Sequence, residues 1–268
     1  MKNVVITGST RGIGRGLAAE FLRQGCKVVI CGRDPQQVDQ TVAELSQAFD
    51  GAEVIGQACN VVDATQLQSL WDFAVAQFGR VDIWINNAGI SITRKPLAEQ
   101  SPADLERIVQ TNLTAILLAN QLCIREMQAQ GGGQIWNMEG FGSNGATQPG
   151  MAAYGATKRA VTYLIKALQK EVKDTAVQVN ALSPGIVVTD LLVNDYDQAS
   201  EQWHKARKIF NILGDTVETV TPWLVEQILK TNRSGSKVAW LTTGKALCRF
   251  WMASFRKREL FAEPSSEQ

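Results

Sequence analysis

The sequence predicts an α/β fold, a single-domain Rossmann-like doubly wound parallel sheet with helices on both faces. The chain has 268 residues, of which 45% are hydrophobic and 20% charged, enough to bury one full core. Strand-like runs alternate with helix-like runs from Asn3 to about Leu182, which favours parallel strands joined by helices. No internal repeat, low-complexity tract or linker interrupts this order.

We expect a catalytic domain over residues 1–242, with a substrate lid at 191–235, followed by a basic, aromatic helical tail over residues 243–268. The formal net charge of +1 gives no case for nucleic acid. His204 is the only histidine, and we interpret it as a helix-surface residue, so no metal site is predicted. No signal peptide precedes the first strand, which predicts a cytoplasmic chain.

The cysteines show neither metal-ligand nor C-x-x-C spacing. We interpret them as ordinary buried thiols of a reducing compartment. They are Cys26, Cys31, Cys59, Cys123 and Cys248.

The first predicted strand, Asn3–Thr7, runs directly into a glycine-rich turn and an Ala/Leu-rich helix. Glycines permit a tight turn and close backbone approach, and a helix N-terminus offers unpaired amides to a pyrophosphate. This pattern predicts a dinucleotide cradle. Its residues are Gly8, Ser9, Thr10, Arg11, Gly12, Ile13 and Gly14.

The second predicted strand indicates which nicotinamide cofactor is used. An NAD-binding chain places an acidic side chain at its end to bind the ribose 2′-hydroxyl, whereas this chain has Gly32 and Arg33 there. Arg33 and Arg11 could together pair with a 2′-phosphate, so we predict NADP(H). Asp34 precedes Pro35, which is typical of an N-cap and a first helical residue.

Tyr154 and Lys158 are four residues apart in a predicted helix, so they share one face. A neighbouring cation stabilises phenolate and lowers the pKa of a tyrosine, which predicts that Tyr154 exchanges a proton with a carbonyl or alcohol oxygen. The spacing alone is equally typical of a solvated helix face.

Together, Gly8-x-x-x-Gly12-x-Gly14 and Tyr154-x-x-x-Lys158 resemble the short-chain dehydrogenase/reductase family, over roughly residues 1 to 190. The resemblance implies that Tyr154 is the proton donor, that Lys158 also binds the nicotinamide ribose, and that Asn112 holds a proton-relay water. It also implies a homo-dimer or homo-tetramer. Further cofactor contacts are implied for Tyr154 and Lys158 and for Asn60, Val61, Asn87, Ala88, Gly89, Pro184, Gly185, Ile186, Val188 and Thr189. Asn60 could equally be a strand-end turn residue.

The chain departs from the family pattern at the end of the fifth strand. Gly140 stands where the family has a serine that bonds the substrate oxygen, and its loss removes a donor to the transition state. Ser143 is the nearest hydroxyl; it either reaches into the site as a catalytic residue or bonds local backbone. Glu139 either holds a water or substrate group or caps the next turn.

The segment Asn137-Met-Glu-Gly-Phe-Gly-Ser143 and the later Thr243-Gly-Lys-Ala246 resemble the non-yellow-coloring type chlorophyll b reductases, a branch of the same family. This resemblance implies reduction of the 7-formyl group of chlorophyll(ide) b to a hydroxymethyl group. Replacing a serine by Gly140 would open room for such a flat macrocycle. Two alternatives are an NADPH-dependent reductase of a small aldehyde or ketone, and a non-catalytic NADP(H)-binding scaffold or sensor.

The tail combines apolar and basic side chains, which predicts a helix at a membrane surface that is too short and too charged to span. The alternative is a helix docked on the body or on a second subunit. The apolar residues are Leu247, Phe250, Trp251 and Phe255, and the basic ones are Lys245, Arg249, Arg256, Lys257 and Arg258.

Overall fold

The structure, a computed structural model, describes residues 1–261. One seven-stranded sheet has the order β3-β2-β1-β4-β5-β6-β7, with every neighbouring pair parallel. The strands are β1 (Asn3–Ile6), β2 (Lys27–Gly32), β3 (Val54–Ala58), β4 (Ile83–Asn86), β5 (Gly133–Met138), β6 (Val177–Ser183) and β7 (Lys237–Ala239).

Helices cover both faces of this sheet. They are α1 (Gly12–Arg23), α2 (Pro35–Ala48), α3 (Ala64–Phe78), α4 (Pro102–Val109), α5 (Ala115–Ala129), α6 (Ala152–Glu171), α7 (Asp190–Val193), α8 (Glu201–Leu213), α9 (Val217–Lys230) and α10 (Thr243–Ala253). The apolar core on one face joins α3, α5 and α6 to the strands, and the core on the other joins α1, α2 and α9. The predicted doubly wound fold is therefore confirmed.

The central strands β1 and β4 have apolar runs, Val4–Ile6 and Ile83–Ile85, because both faces of the sheet are covered. In β1, Val5 faces one core while Val4 and Ile6 face the other. The strand order reverses between β1 and β4, and in open sheets of this kind ligands bind at the carboxyl ends of the strands beside that point. The reversal therefore locates the crevice in which a site is expected.

The helical segment that contains Asn112 is irregular. A π-helical turn, Gln110–Thr114, joins α4 to α5, and such turns frequently occur at functional sites. Asn112 is fully buried and is tied to the loop after β4, because its Oδ1 accepts from the Ile90 amide at 2.8 Å and its Nδ2 donates to the Ile90 carbonyl at 2.8 Å. The turn thus fixes Asn112 beside the carboxyl edge of the sheet.

The tail helix α10 is fixed to the body through Asp215, which is buried. The Asp215 carboxylate pairs with Arg249 at 2.7 Å and with Arg258 at 2.8 Å. This corrects the expectation that both arginines belong to an outward-facing basic cluster. The last seven residues of the predicted tail, 262–268, lie outside the described residues.

The structure tests two further interpretations of the sequence. His204 is exposed on α8, as expected. Cys248 is also exposed, unlike the other four cysteines, so the interpretation that all five thiols are buried is wrong for that one. Cys248 lies on α10, a helix whose outer face does not pack against the rest of the described residues. No helix within residues 1–261 is long and apolar enough to cross a membrane.

Candidate active site

The glycine-rich turn between β1 and α1 lies against the segment after β4. Gly8 has φ of +63°, and a Cβ there would lie 2.9 Å from Ala88 Cα. A Cβ on Gly14 would lie 2.5 Å from Asn87 Nδ2, which donates to the carbonyls of Thr7 and Gly8 at 2.9 Å. The predicted cradle residues and the Asn87–Gly89 segment are therefore brought together, with no room for side chains at the two glycines.

Three further predicted cofactor residues, Thr189, Ser9 and Asn60, have defined contacts in the structure. A Cβ on Gly12, which has φ of +56°, would lie 3.5 Å from Thr189 Cγ2, so the segment after β6 reaches the cradle. Ser9 is buried, and its hydroxyl donates to the Ile6 carbonyl at 2.6 Å, which gives it a structural contact. Asn60 participates in a turn, since its carbonyl accepts from the Asp63 amide at 3.0 Å.

The end of β2 presents Arg33 to solvent. Next to it, a Cβ on Gly32 would lie 2.8 Å from Thr10 Cγ2, so this strand end touches the glycine-rich turn. Arg11 instead lies 3.6 Å from Asp190 of α7 in an exposed ion pair. Asp34 caps α2 by accepting from the Gln36 amide at 3.0 Å, which confirms the predicted N-cap.

Lys158 and Asn112 meet beside Gly89. The position of a Cβ on Gly89 lies 3.4 Å from Asn112 Oδ1 and 3.8 Å from Lys158 Nζ. Lys158 is buried and its Nζ donates to the Met138 carbonyl at 3.2 Å. The Asn112 amide and the Lys158 ammonium, which the family resemblance assigns to one proton relay, are therefore close to the same point.

Gly140 leaves a niche that the Tyr154 hydroxyl occupies. A Cβ on Gly140 would lie 2.5 Å from Tyr154 Oη and 3.2 Å from two carbons of the Lys158 side chain. The space that glycine was expected to open for a macrocycle is therefore already filled, at this point, by the catalytic candidate itself. Glycine at 140 is a steric requirement for this position of the phenol.

The pKa values of the pair differ from the sequence prediction. Burial raises the pKa of Tyr154 to about 12, and the charge of Asp195 adds to the increase. The expected lowering by Lys158 is not found, because desolvation of the phenolate outweighs any nearby cation. Burial also lowers the pKa of Lys158 to about 8, against the opposing effect of Glu139.

Glu139 and Ser143 both have partners inside the protein. Glu139 is buried, and its carboxylate forms an ion pair with Lys237 of β7 at 2.6 Å. The Ser143 hydroxyl accepts from the Gly140 amide at 3.1 Å and donates to the Lys158 carbonyl at 3.3 Å. This is the local backbone role that the sequence left open, and it shapes the turn that presents Gly140.

A polar cluster on the substrate side was not found by sequence reasoning. Asp195, from the lid after α7, is buried and accepts from the Ser91 hydroxyl at 2.5 Å. Arg94 stacks on Tyr196, with its guanidinium carbon 4.2 Å from the ring centroid. These residues are about 100 positions apart in the chain, and no local motif links them.

We expect Gly140→Ser to destabilise the protein. The new side chain would displace the Tyr154 hydroxyl or strain the Lys158 stem, and overpacking of this kind typically costs about 1–3 kcal/mol. Thermal or urea unfolding would measure the change in the free energy of unfolding. Gly244→Ser is the matched control, because a Cβ there meets nothing within 4 Å; equal stability of the two variants would show that the niche is not filled.

Comparisons with known proteins agree with this geometry. A family model described as short chain dehydrogenase matches residues 2–200. The crystal structure of 3-ketoacyl-(acyl-carrier-protein) reductase from Brucella melitensis, complexed with NADH, superposes with a TM-score of 0.77 at 25% sequence identity, covering 91% of this chain and 98% of that one.

Two curated relatives are more similar in sequence. "Chlorophyll(ide) b reductase NOL, chloroplastic" of Oryza sativa subsp. japonica is 40% identical over 258 residues, which is 93% of this chain and 74% of the relative. "Probable chlorophyll(ide) b reductase NYC1, chloroplastic" of the same organism is 37% identical over 278 residues, which is 98% of this chain but only 54% of the relative. The chain thus spans about half the length of this second relative, and it belongs to the short-chain dehydrogenase family, within which it is similar to the chlorophyll(ide) b reductases.

Proposed function

We propose that this protein uses NADPH to reduce the 7-formyl group of chlorophyll(ide) b to a 7-hydroxymethyl group. The observation that carries the proposal is the position of the Tyr154 hydroxyl in the niche at Gly140, in a chain similar to proteins named chlorophyll(ide) b reductases. Burial raises the pKa of this phenol to about 12. A phenol that keeps its proton at neutral pH is suited to donating that proton to an oxygen that gains charge during reduction.

The residues present fit a dinucleotide. The cradle has no side-chain room at Gly8 and Gly14, so the backbone of the turn is free to approach a pyrophosphate at the start of α1. The bound NADPH would supply the hydride to the formyl carbon. Tyr154 would donate its proton to the formyl oxygen, and Lys158 would bind the nicotinamide ribose.

Lys158 and Asn112 would return a proton to Tyr154 after each turnover. Lys158 and Asn112 share the space beside Gly89, so together they hold a donor and an acceptor next to the same point. A water held there would connect the ammonium to solvent. Because burial brings the pKa of Lys158 to about 8, this lysine both gives and regains a proton at neutral pH.

The choice of NADPH over NADH rests on Arg33. Its side chain is exposed at the end of β2. The neighbouring acid, Asp34, caps α2 through the Gln36 amide, so its carboxylate is already used where an NAD-binding chain would bind the 2′-hydroxyl. Arg11, just before α1, would bind the same 2′-phosphate, although its exposed ion pair with Asp190 competes with that contact. Exposed ion pairs of this kind contribute roughly 0–1 kcal/mol, so a 2′-phosphate would displace Asp190 at little cost.

Arg33→Ala should weaken NADPH binding while leaving NADH binding nearly unchanged. The loss of a charge-assisted contact predicts roughly a 10- to 100-fold increase in the dissociation constant for NADPH. Fluorescence titration with each nucleotide measures both constants. Arg15→Ala is the matched control, since Arg15 pairs with Glu44 on the outer surface. Equal losses for both nucleotides would contradict the assignment of Arg33 to the 2′-phosphate.

The reaction itself is tested by incubating the protein anaerobically with NADPH and chlorophyllide b. We expect coupled loss of the formyl pigment absorbance and of the nicotinamide signal. Tyr154→Phe should bind NADPH normally but lower turnover by about 10²- to 10⁴-fold, because the proton donor is missing. Tyr163→Phe, which changes an exposed tyrosine on the same helix, is the control.

Three outcomes would argue against this assignment. Undiminished turnover by Tyr154→Phe would exclude the proposed proton donor. Rapid reduction of small aldehydes without reaction of the pigment would favour a general carbonyl reductase. NADPH binding without reduction of either class would favour a scaffold or sensor.

We also infer that the outer face of α10 lies on an anionic membrane surface. Leu247 and Trp251 on α10, and Phe255 in the turn that follows it, repeat at intervals of four and are 66%, 68% and 77% exposed. Arg256 and Lys257, just after this turn, are exposed and complement anionic headgroups. A helix anchored on its inner face and apolar on its outer face has the character of an interfacial helix.

Replacing both Leu247 and Trp251 by Ser should lower binding to anionic vesicles at least tenfold, since each buried side chain contributes roughly 1.5–3 kcal/mol. Vesicle flotation measures this, with neutral vesicles testing the contribution of charge. Tyr163→Ser removes an equally exposed aromatic residue from another surface and serves as control. We expect every variant to remain a homo-dimer or homo-tetramer. If the wild type does not bind vesicles and the double variant forms a smaller assembly, the outer face of α10 would instead be assigned to a contact with a second copy of the chain.

A further inference from the structure

The loop after β4 and the lid after α7 are held together by the polar cluster of Ser91, Arg94 and Asp195. The Arg94 amide donates to the Asp195 carbonyl at 3.3 Å, and the Ser91 hydroxyl donates to the Asp195 carboxylate at 2.5 Å. The mechanism above uses none of these three residues. The cluster nevertheless joins two segments of the substrate side at one place.

Arg94 contains an unused hydrogen-bond donor. Its Nε is buried and has no hydrogen-bond partner within residues 1–261, although a buried donor without an acceptor destabilises a protein. The guanidinium plane is fixed on one side by the Tyr196 ring at 4.2 Å. From another side, the position of a Cβ on Gly150 lies 3.2 Å from Arg94 Cβ. The donor is thus held in place, yet no protein group uses it.

This donor belongs to the surroundings of Tyr154. Ile92 and Lys95, on either side of Arg94 in the chain, line a shallow surface groove together with Gly150 and Tyr154. Gly150 contacts Arg94, so the Arg94 side chain adjoins this groove. The charges of both Arg94 and Asp195 affect the pKa of Tyr154, with Arg94 lowering it and Asp195 raising it. The Arg94 donor is therefore close to any molecule that reacts at Tyr154.

We propose that Arg94 binds substrate by donating from its guanidinium edge to a carbonyl oxygen on a part of the substrate that does not react. A carbonyl suits this position better than a second carboxylate, which would meet the charge of Asp195 nearby. The inference rests on the proposed function, because a chlorophyll-type macrocycle carries ketone and ester carbonyls at its rim in addition to the reactive formyl group.

Binding of chlorophyllide a, which has no formyl group and is not reduced, tests this without turnover. Fluorescence titration should give a dissociation constant roughly 10- to 100-fold higher for Arg94→Met than for the wild type. Arg94→Lys should recover little of the loss, because an ammonium lacks the planar edge that stacks on Tyr196. Arg125→Met, which changes an exposed arginine of α5, is the control. NADPH binding and the unfolding midpoint should be the same in all variants.

A second pigment, in which the ring ketone has been replaced by a methylene group that cannot accept a hydrogen bond, identifies the acceptor. If the ketone is the partner, this pigment should bind the wild type and Arg94→Met equally; if an ester is the partner, the difference should persist. Equal binding of chlorophyllide a to the wild type and Arg94→Met would overturn the inference and leave the proposed reduction standing. Failure of the wild type to bind either pigment would overturn both.

Discussion

The buried ammonium of Lys158 is the constraint on which the arrangement of the site depends. A charge removed from water needs partners, or its pKa shifts until it is neutral. Here the Met138 carbonyl accepts from Nζ at 3.2 Å, and the Glu139 carboxylate favours the charged form. Glu139 is buried in turn and is paired with Lys237 at 2.6 Å. The ends of β5 and β7 and the middle of α6 are therefore coupled by a row of alternating charges.

Burial acts in opposite directions on the pKa values of the proposed catalytic pair, because it favours the neutral form of each. The phenol of Tyr154, with a pKa of about 12, keeps its proton at neutral pH, while the ammonium of Lys158, with a pKa of about 8, holds its proton weakly. The protonated phenol is the form that the proposed proton donation requires, and the charge of Asp195 stabilises it further.

Sequence reasoning succeeded where the determinants are local. Strand alternation, the glycine turn and the Asp34 cap depend on residues close in the chain, and each was found as predicted. The pKa of Tyr154 was predicted with the wrong sign because burial is a property of the whole fold, whereas the i, i+4 spacing to Lys158 is local. Arg94 and Asp195 were missed for the same reason, since their pairing depends on how a lid folds over a distant loop.

The tail shows how one amphipathic sequence divides into two functions. Arg249 and Arg258 face inward to Asp215. Removing them would leave a buried carboxylate with no cation beside it and only the Trp240 indole donating to its side chain among the described residues, at a typical cost of about 3–5 kcal/mol. The backbone of Asp215 accepts from the Val188 amide at 2.9 Å and donates to the Ile186 carbonyl at 3.0 Å. The inner face of α10 is thus connected to the segment after β6 that borders the cradle. Because this pairing holds Arg249 against the body, Leu247 and Trp251 remain on the exposed side of α10, which is the orientation that the proposed membrane contact requires.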